Sequence, residues 1–114
     1  MILYLDTSAL VKLYVRERGS AQTRARVDEA QALATSVGAY AESRAAFARL
    51  RREHATRNAR HQERSARLDQ DWKHYLRVEL SPMIVRNSGE LADTHGLRGF
   101  DAIHLASASR RPVV

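Results

Sequence analysis

The stretch Met1-Ile2-Leu3-Tyr4-Leu5-Asp6-Thr7-Ser8 decides how this chain is read. Its apolar run predicts a short strand buried on both faces, as in a parallel sheet covered by helices. Asp6 then stands at the carboxyl end of that strand. Open α/β sheets bind ligands at this edge, because the loops leaving the strands diverge there. A carboxylate so placed needs a donor, a counter-charge or a metal ion. Plain capping of the following helix by Asp6 or Ser8 is the structural alternative.

Working outward, Leu10, Val11, Leu13, Tyr14 and Val15 predict a mostly buried helix over 8–17, ended by Gly19. Ser20 is placed to cap a second helix reaching about Ala30. Leu33-Ala34-Thr35 is expected as a strand, chiefly from its place between two helical stretches. Ser36 suits the N-cap of a helix extending to about Arg52. In that helix Gly38, Ala39, Ala45 and Ala46 lie at helical spacing from Glu42, so the carboxylate projects from a stripe of small residues. Small neighbours permit close approach of a ligand or of another element, and tight helix packing with Glu42 at the margin is the structural alternative.

From Arg49 to Arg67 the chain is strongly basic, with Arg49, Arg52, Arg57 and Arg60 among seven arginines. A solvated helical hairpin explains such a run, and so does phosphate contact, because arginine binds phosphate oxygens in a fork without sequence preference. Leu68, Trp72 and Tyr75-Leu76 give the second arm an apolar face, with Trp72 as a packing anchor. A strand is expected over 77–80. Ser81-Pro82 then pairs an N-cap with proline at the first helical position, and His95-Gly96 ends that helix. Phe100 opens the last helix and puts Asp101 in its first turn, where free backbone N–H groups favour an anion. His104, one turn further, reads as a hydrogen-bonded core histidine. Pro112-Val113-Val114 reads as the start of another buried strand. No repeat or low-complexity linker interrupts the sequence, so residues 1–114 are expected to form a single domain carrying a basic helical hairpin at about 49–76.

Composition narrows the function classes. Of 114 residues 44% are hydrophobic and 28% charged, which is globular rather than disordered usage. Lys and Arg number 19 against 13 Asp and Glu, a formal charge of +6 that favours polyanionic partners, nucleic acid before membrane. The absence of cysteine removes disulfides and thiolate metal sites and suits a reducing cytoplasm. No secretory signal is expected, and no run approaches the roughly 20 apolar residues of a membrane helix.

Asp6, Glu42 and Asp101 therefore occupy a strand end, a small-residue stripe and a helix start, and the alternating elements suggest that they converge. Carboxylates brought together repel one another, and a divalent cation removes that cost. Oxygen-only ligands suit Mg2+ or Mn2+.

These residues carry a resemblance. Met1 through Leu13 resembles the opening of PIN-domain proteins of the VapC ribonuclease toxin type, Ser36 through Glu42 is similar to their second motif, and Leu97 through Ala106 to their third. The resemblance implies a three-layer α/β/α sandwich with a central parallel sheet, metal-dependent cleavage of RNA, a homodimer, and inhibition by a VapB-type antitoxin. On it, Asp6, Glu42 and Asp101 carry over as catalytic, metal-binding acids and Ser8 as a polar supporter of Asp6. The family pattern continues beyond Pro112-Val113-Val114 into a strand with a fourth acid and a closing helix. The chain is thus expected to lack the last strand and helix. Two functions follow as alternatives: a Mg2+- or Mn2+-dependent endoribonuclease toxin, or a shortened module that binds antitoxin or RNA without turnover.

Overall fold

The computed structural model describes residues 1–54 and 57–109. Nine elements follow one another: β1 (Ile2–Tyr4), α1 (Thr7–Lys12), α2 (Ser20–Glu29), β2 (Ala32–Ser36), α3 (Gly38–Glu53), α4 (Asn58–Trp72), β3 (Leu76–Val78), α5 (Pro82–His95) and α6 (Gly99–Ala108). The three strands form one parallel sheet in the order β1-β2-β3, with Tyr4 opposite Ala34 and Ser36 opposite Val78. The stretch whose strand character was weakest in sequence is therefore the central strand. Its pairing reaches past the strand ends: Leu5 N donates to Ala34 O at 2.8 Å, Thr35 Oγ1 to Leu5 O at 2.7 Å, and Val37 N to Val78 O at 3.0 Å.

The period of two along a strand sends successive side chains to opposite faces of the sheet, and two separate cores result. Leu3, Leu5 and Leu33 pack with Leu10, Val11, Tyr14, Phe47, Leu68 and Tyr75 of the segments that connect the strands. Tyr4 and Val78 pack with Ile84, Leu91 and Ala106 of α5 and α6. Parallel connections of one hand place α1 to α4 on a common face, leaving the opposite face to α5 and α6. This is the expected α/β/α arrangement. Tyr4 is thereby aimed at α6.

Several local expectations are met and several are corrected. Ser81 caps α5 by accepting from Ile84 N at 3.2 Å, with Pro82 in the first turn, and Gly96 closes it at φ 64°. The first helix is shorter than its apolar content suggests and stops at Lys12. Leu13 N and Tyr14 N bond to Leu10 O and Val11 O, tightening the turn so that Tyr14 and Val15 both enter the core. Ser20 is the first helical residue of α2 rather than its cap, which is Gly19 at φ 91°. Ser36 ends β2, and Val37 is the cap residue of α3. The third strand lies at Leu76–Val78, a residue or two earlier than expected. Nor is β1 buried on both faces: Ile2 is 52% exposed, because β1 has a strand neighbour on one side alone among the described residues. The strand expected from Pro112 lies outside the described residues. No helix among them is long and apolar enough to cross a membrane.

Candidate active site

The carboxyl edge of the sheet collects most of the expected residues. Asp6 follows β1 and caps α1, its Oδ1 accepting from Ala9 N at 2.8 Å, so that one oxygen is held and Oδ2 is left to other partners. Asp101 lies in the first turn of α6 and, like Asp6, is exposed to solvent. Both line a single open pocket of about 480 Å³ together with Tyr4, Ala9, His104 and Leu105. Two carboxylates a long way apart in sequence thus share one concave surface, as the strand-end argument requires.

Glu42 is not on the pocket wall. It projects from α3, 27% exposed, and is held by a chain of polar contacts behind that wall. Thr7 Oγ1 donates to Glu42 Oε1. His104 Nε2 stands 2.9 Å from Thr7 Oγ1 and 3.3 Å from Glu42 Oε1, while His104 Nδ1 is 2.7 Å from the Tyr4 hydroxyl. The hydroxyl proton of Thr7 is committed to the carboxylate, an acceptor-only group, while the Thr7 backbone N–H is directed at the same Nε2 at 3.3 Å. Each ring nitrogen of His104 therefore meets a hydroxyl, and Nε2 meets a backbone donor as well. Burial, with Asp6 and Glu42 adding to it, pushes the Tyr4 hydroxyl up to about 12, so its proton is present to donate. Tyr4, His104, Thr7 and Glu42 therefore form one continuous polar chain. The Glu42 Oε2 atom lies outside this chain.

The sequence reading of His104 as a hydrogen-bonded core residue agrees with this geometry, since it is 6% exposed. What the sequence did not disclose is that His104 and Thr7 join Glu42 to Tyr4. The only available signal was a hydroxyl directly after Asp6 and a histidine one turn after Asp101. Ser8 is exposed and its Oγ accepts from Lys12 Nζ at 3.1 Å, so its partner is Lys12 rather than Asp6. Lys12 in turn pairs with Glu17 at 3.4 Å and does not reach the acids. The small-residue stripe does allow a close approach: a Cβ at Gly38 would come within 2.9 Å of the Phe100 ring, next to Asp101. Arg49 and Arg52 lie exposed near the end of α3, Arg57 is the cap residue of α4, and Arg60 lies in its first turn.

Among the described residues no three of His, Asp and Glu are grouped closely enough to hold a metal ion by themselves. Mg2+ is commonly held by one or two carboxylates with water filling its remaining positions. The exposed pair Asp6 and Asp101 on one wall fits that pattern, and the all-oxygen donor set fits Mg2+ or Mn2+ rather than zinc.

A parallel sheet between two helical layers, with acids gathered at its carboxyl edge, defines a class, and the chain belongs to the PIN domain family, which matches residues 3–111. Its relatives include Ribonuclease VapC45 and Ribonuclease VapC49 from two strains of Mycobacterium tuberculosis. Each is 38% identical to this chain over 107 residues, covering 94% of it and 74% of the relative.

Proposed function

We propose that this chain is a metal-dependent endoribonuclease and the toxin of a VapBC-type toxin–antitoxin pair. The observation that carries the reading is the shared pocket of Asp6 and Asp101 at the sheet edge, in a chain similar to two VapC ribonucleases. The reaction is hydrolysis of an RNA phosphodiester, and the physiological partner is a VapB-like antitoxin. Homodimer formation and a cytoplasmic location accompany that assignment.

Asp6 and Asp101 are the residues that would hold Mg2+ or Mn2+. The ion, when bound, lowers the pKa of its water and neutralises charge developing on the phosphate. Asp6 keeps its orientation because Ala9 N holds one of its oxygens. Asp101 gains from the free N–H groups of the first turn of α6. Glu42 serves through its Oε2, which has no hydrogen-bond partner among the described residues and can accept a proton from a water molecule while Oε1 stays fixed by Thr7 and His104. Ser8, in the first turn of α1, is tied to Lys12 one turn further along the helix that Asp6 caps. Arg49, Arg52, Arg57 and Arg60 supply positive charge along the RNA backbone.

The test is cleavage of a structured RNA by the folded chain with Mn2+ or Mg2+. Activity should vanish on chelation and return when the metal is restored. Cleavage unaffected by chelator would overturn the metal-dependent reading.

A further inference from the structure

The region enclosed by Arg16, α2 and α4 is a second concave surface with a different chemistry. Arg16, Arg24, Arg60, Arg64 and Arg67 line a cavity of about 330 Å³ beside Tyr14, and Glu63 is the sole acid on its wall among the described residues. It shares no lining residue with the carboxylate pocket. Asp6 caps one end of α1, and the chain leaves the other end toward Tyr14 and Arg16, so the six-residue helix α1, about 9 Å long, separates the two.

Arg60, Arg64 and Arg67 recur at four and three residues along α4 and therefore occupy one face. Like charges at that spacing repel. Among the described residues no carboxylate lies within ion-pair distance of any of the five guanidinium groups. Two of the five have other partners. Arg24 donates to Leu13 O at 3.3 Å, and Arg67 lies over the Tyr14 ring at 5.5 Å. Arg64 differs, because its Nη1 is buried with no hydrogen-bond acceptor among the described residues. Burial and the neighbouring Arg60 both draw its guanidinium below the ordinary arginine range. A buried donor left without an acceptor is unfavourable, more so when charged, and a bound anion would relieve that cost.

We infer that this arginine-lined cavity is a second binding site that takes a backbone phosphate of single-stranded RNA. A carboxylate offers two oxygens and is satisfied by one guanidinium fork, whereas a phosphate presents acceptors in several directions and suits several converging forks. RNA is the source of that phosphate on the nuclease reading above. The separation from Asp6 and Asp101 makes the cavity a clamp on a neighbouring part of the strand, not a part of the cleavage centre.

The experiment uses a fluorescein-labelled single-stranded oligoribonucleotide and the full chain in chelator, so that binding is read without cleavage. Arg16 and Arg60 are both exposed, and the double variant Arg16→Gln/Arg60→Gln should fold as the wild type, checked by circular dichroism and thermal melting. Its Kd should rise on the order of tenfold, and the slope of log Kd against log salt should fall by about 0.7 for each lost phosphate contact. The control Arg26→Gln/Arg86→Gln removes the same charge at exposed positions outside the cavity and should leave Kd within about twofold. Unchanged affinity in the cavity variant, or equal loss in the control, would overturn the inference. If RNA binding is unmoved while inorganic phosphate protects the wild type against melting but not the cavity variant, the cavity takes free phosphate and the RNA assignment falls. Wild type that binds with this signature yet never cleaves would refute the nuclease reading and leave the clamp standing.

Discussion

The Tyr4 hydroxyl lies 2.7 Å from Nδ1 of His104, a contact that joins the first strand to the last described helix. Because Nε2 of the same ring reaches Thr7 and Glu42, the imidazole connects three elements at the sheet edge. Replacing His104 by Ala removes the ring that hydrogen-bonds the Tyr4 hydroxyl in a half-buried position. The expected loss is about 1–3 kcal/mol of stability, read from the urea midpoint. Cleavage should fall through kcat with KM nearly unchanged, because His104 positions Glu42 and is not proposed to hold RNA.

Thr7 offers a finer probe. Thr7→Val keeps the shape and removes the donor to Glu42, so cleavage should drop on the order of tenfold, equivalent to about 1.4 kcal/mol in the barrier. Thr7→Ser retains the hydroxyl and should recover most of the rate. Equal rates in the Val and Ser variants would show that the hydroxyl has no part in placing Glu42.

A second polar chain lies in the helical core and governs behaviour at high pH. Tyr14 donates to Asp71 Oδ2 at 2.8 Å, and its own oxygen can then accept from Tyr75, with which it shares a hydrogen bond. Burial raises both phenols above their ordinary value of 10.0, with the neighbouring Asp71 adding to the rise. Each therefore contributes stability that is fully present below pH 10 and is lost as pH rises above it. Urea midpoints should be flat with respect to these groups up to about pH 9–10 and decline beyond. Tyr75→Phe should flatten that decline while lowering stability at neutral pH.

Phe47 is fully buried, edge-on to Tyr14 with ring centroids 6.0 Å apart. Phe47→Ala should cost about 3–5 kcal/mol. A domain of this size has on the order of 5–15 kcal/mol in all, so the variant should melt far below the wild type or fail to fold. Phe47→Leu should cost clearly less, since most of the volume remains.

The parts of the fold legible in sequence are those specified locally. Ser81-Pro82, Gly96 and the strand-end position of Asp6 each follow from the chemistry of one or two residues. The length of α1 is set instead by whether Tyr14 and Val15 can reach a core built by α3 and α4, which no local pattern states. The central role of β2 was hidden because Ala32, Ala34 and Ser36 are poor strand formers, held in place by neighbours on both sides. The acids at the sheet edge could be nominated from strand and helix ends. Their support by Thr7 and His104 depends on contacts across 35 to 97 positions and became visible once α6 was placed against β1. The arginine cavity was legible as charge but not as a site, because Arg16 and Arg24 lie far in sequence from the basic stretch.

The central claim is that Asp6 and Asp101 act together on RNA through a divalent ion. The most direct measurement compares Mn2+-dependent cleavage of a structured RNA by wild type, Asp6→Asn and Asp101→Asn, each shown to be folded by circular dichroism. Both carboxylates are exposed, so the variants should melt close to wild type, within about 1 kcal/mol apart from any loss of the cap at Asp6. Metal-dependent cleavage is expected of the wild type and none detectable of either variant, with RNA binding in chelator retained. Full cleavage by either variant, or a folded wild type that binds RNA without ever cutting it, would show that the two acids do not work together through a metal ion.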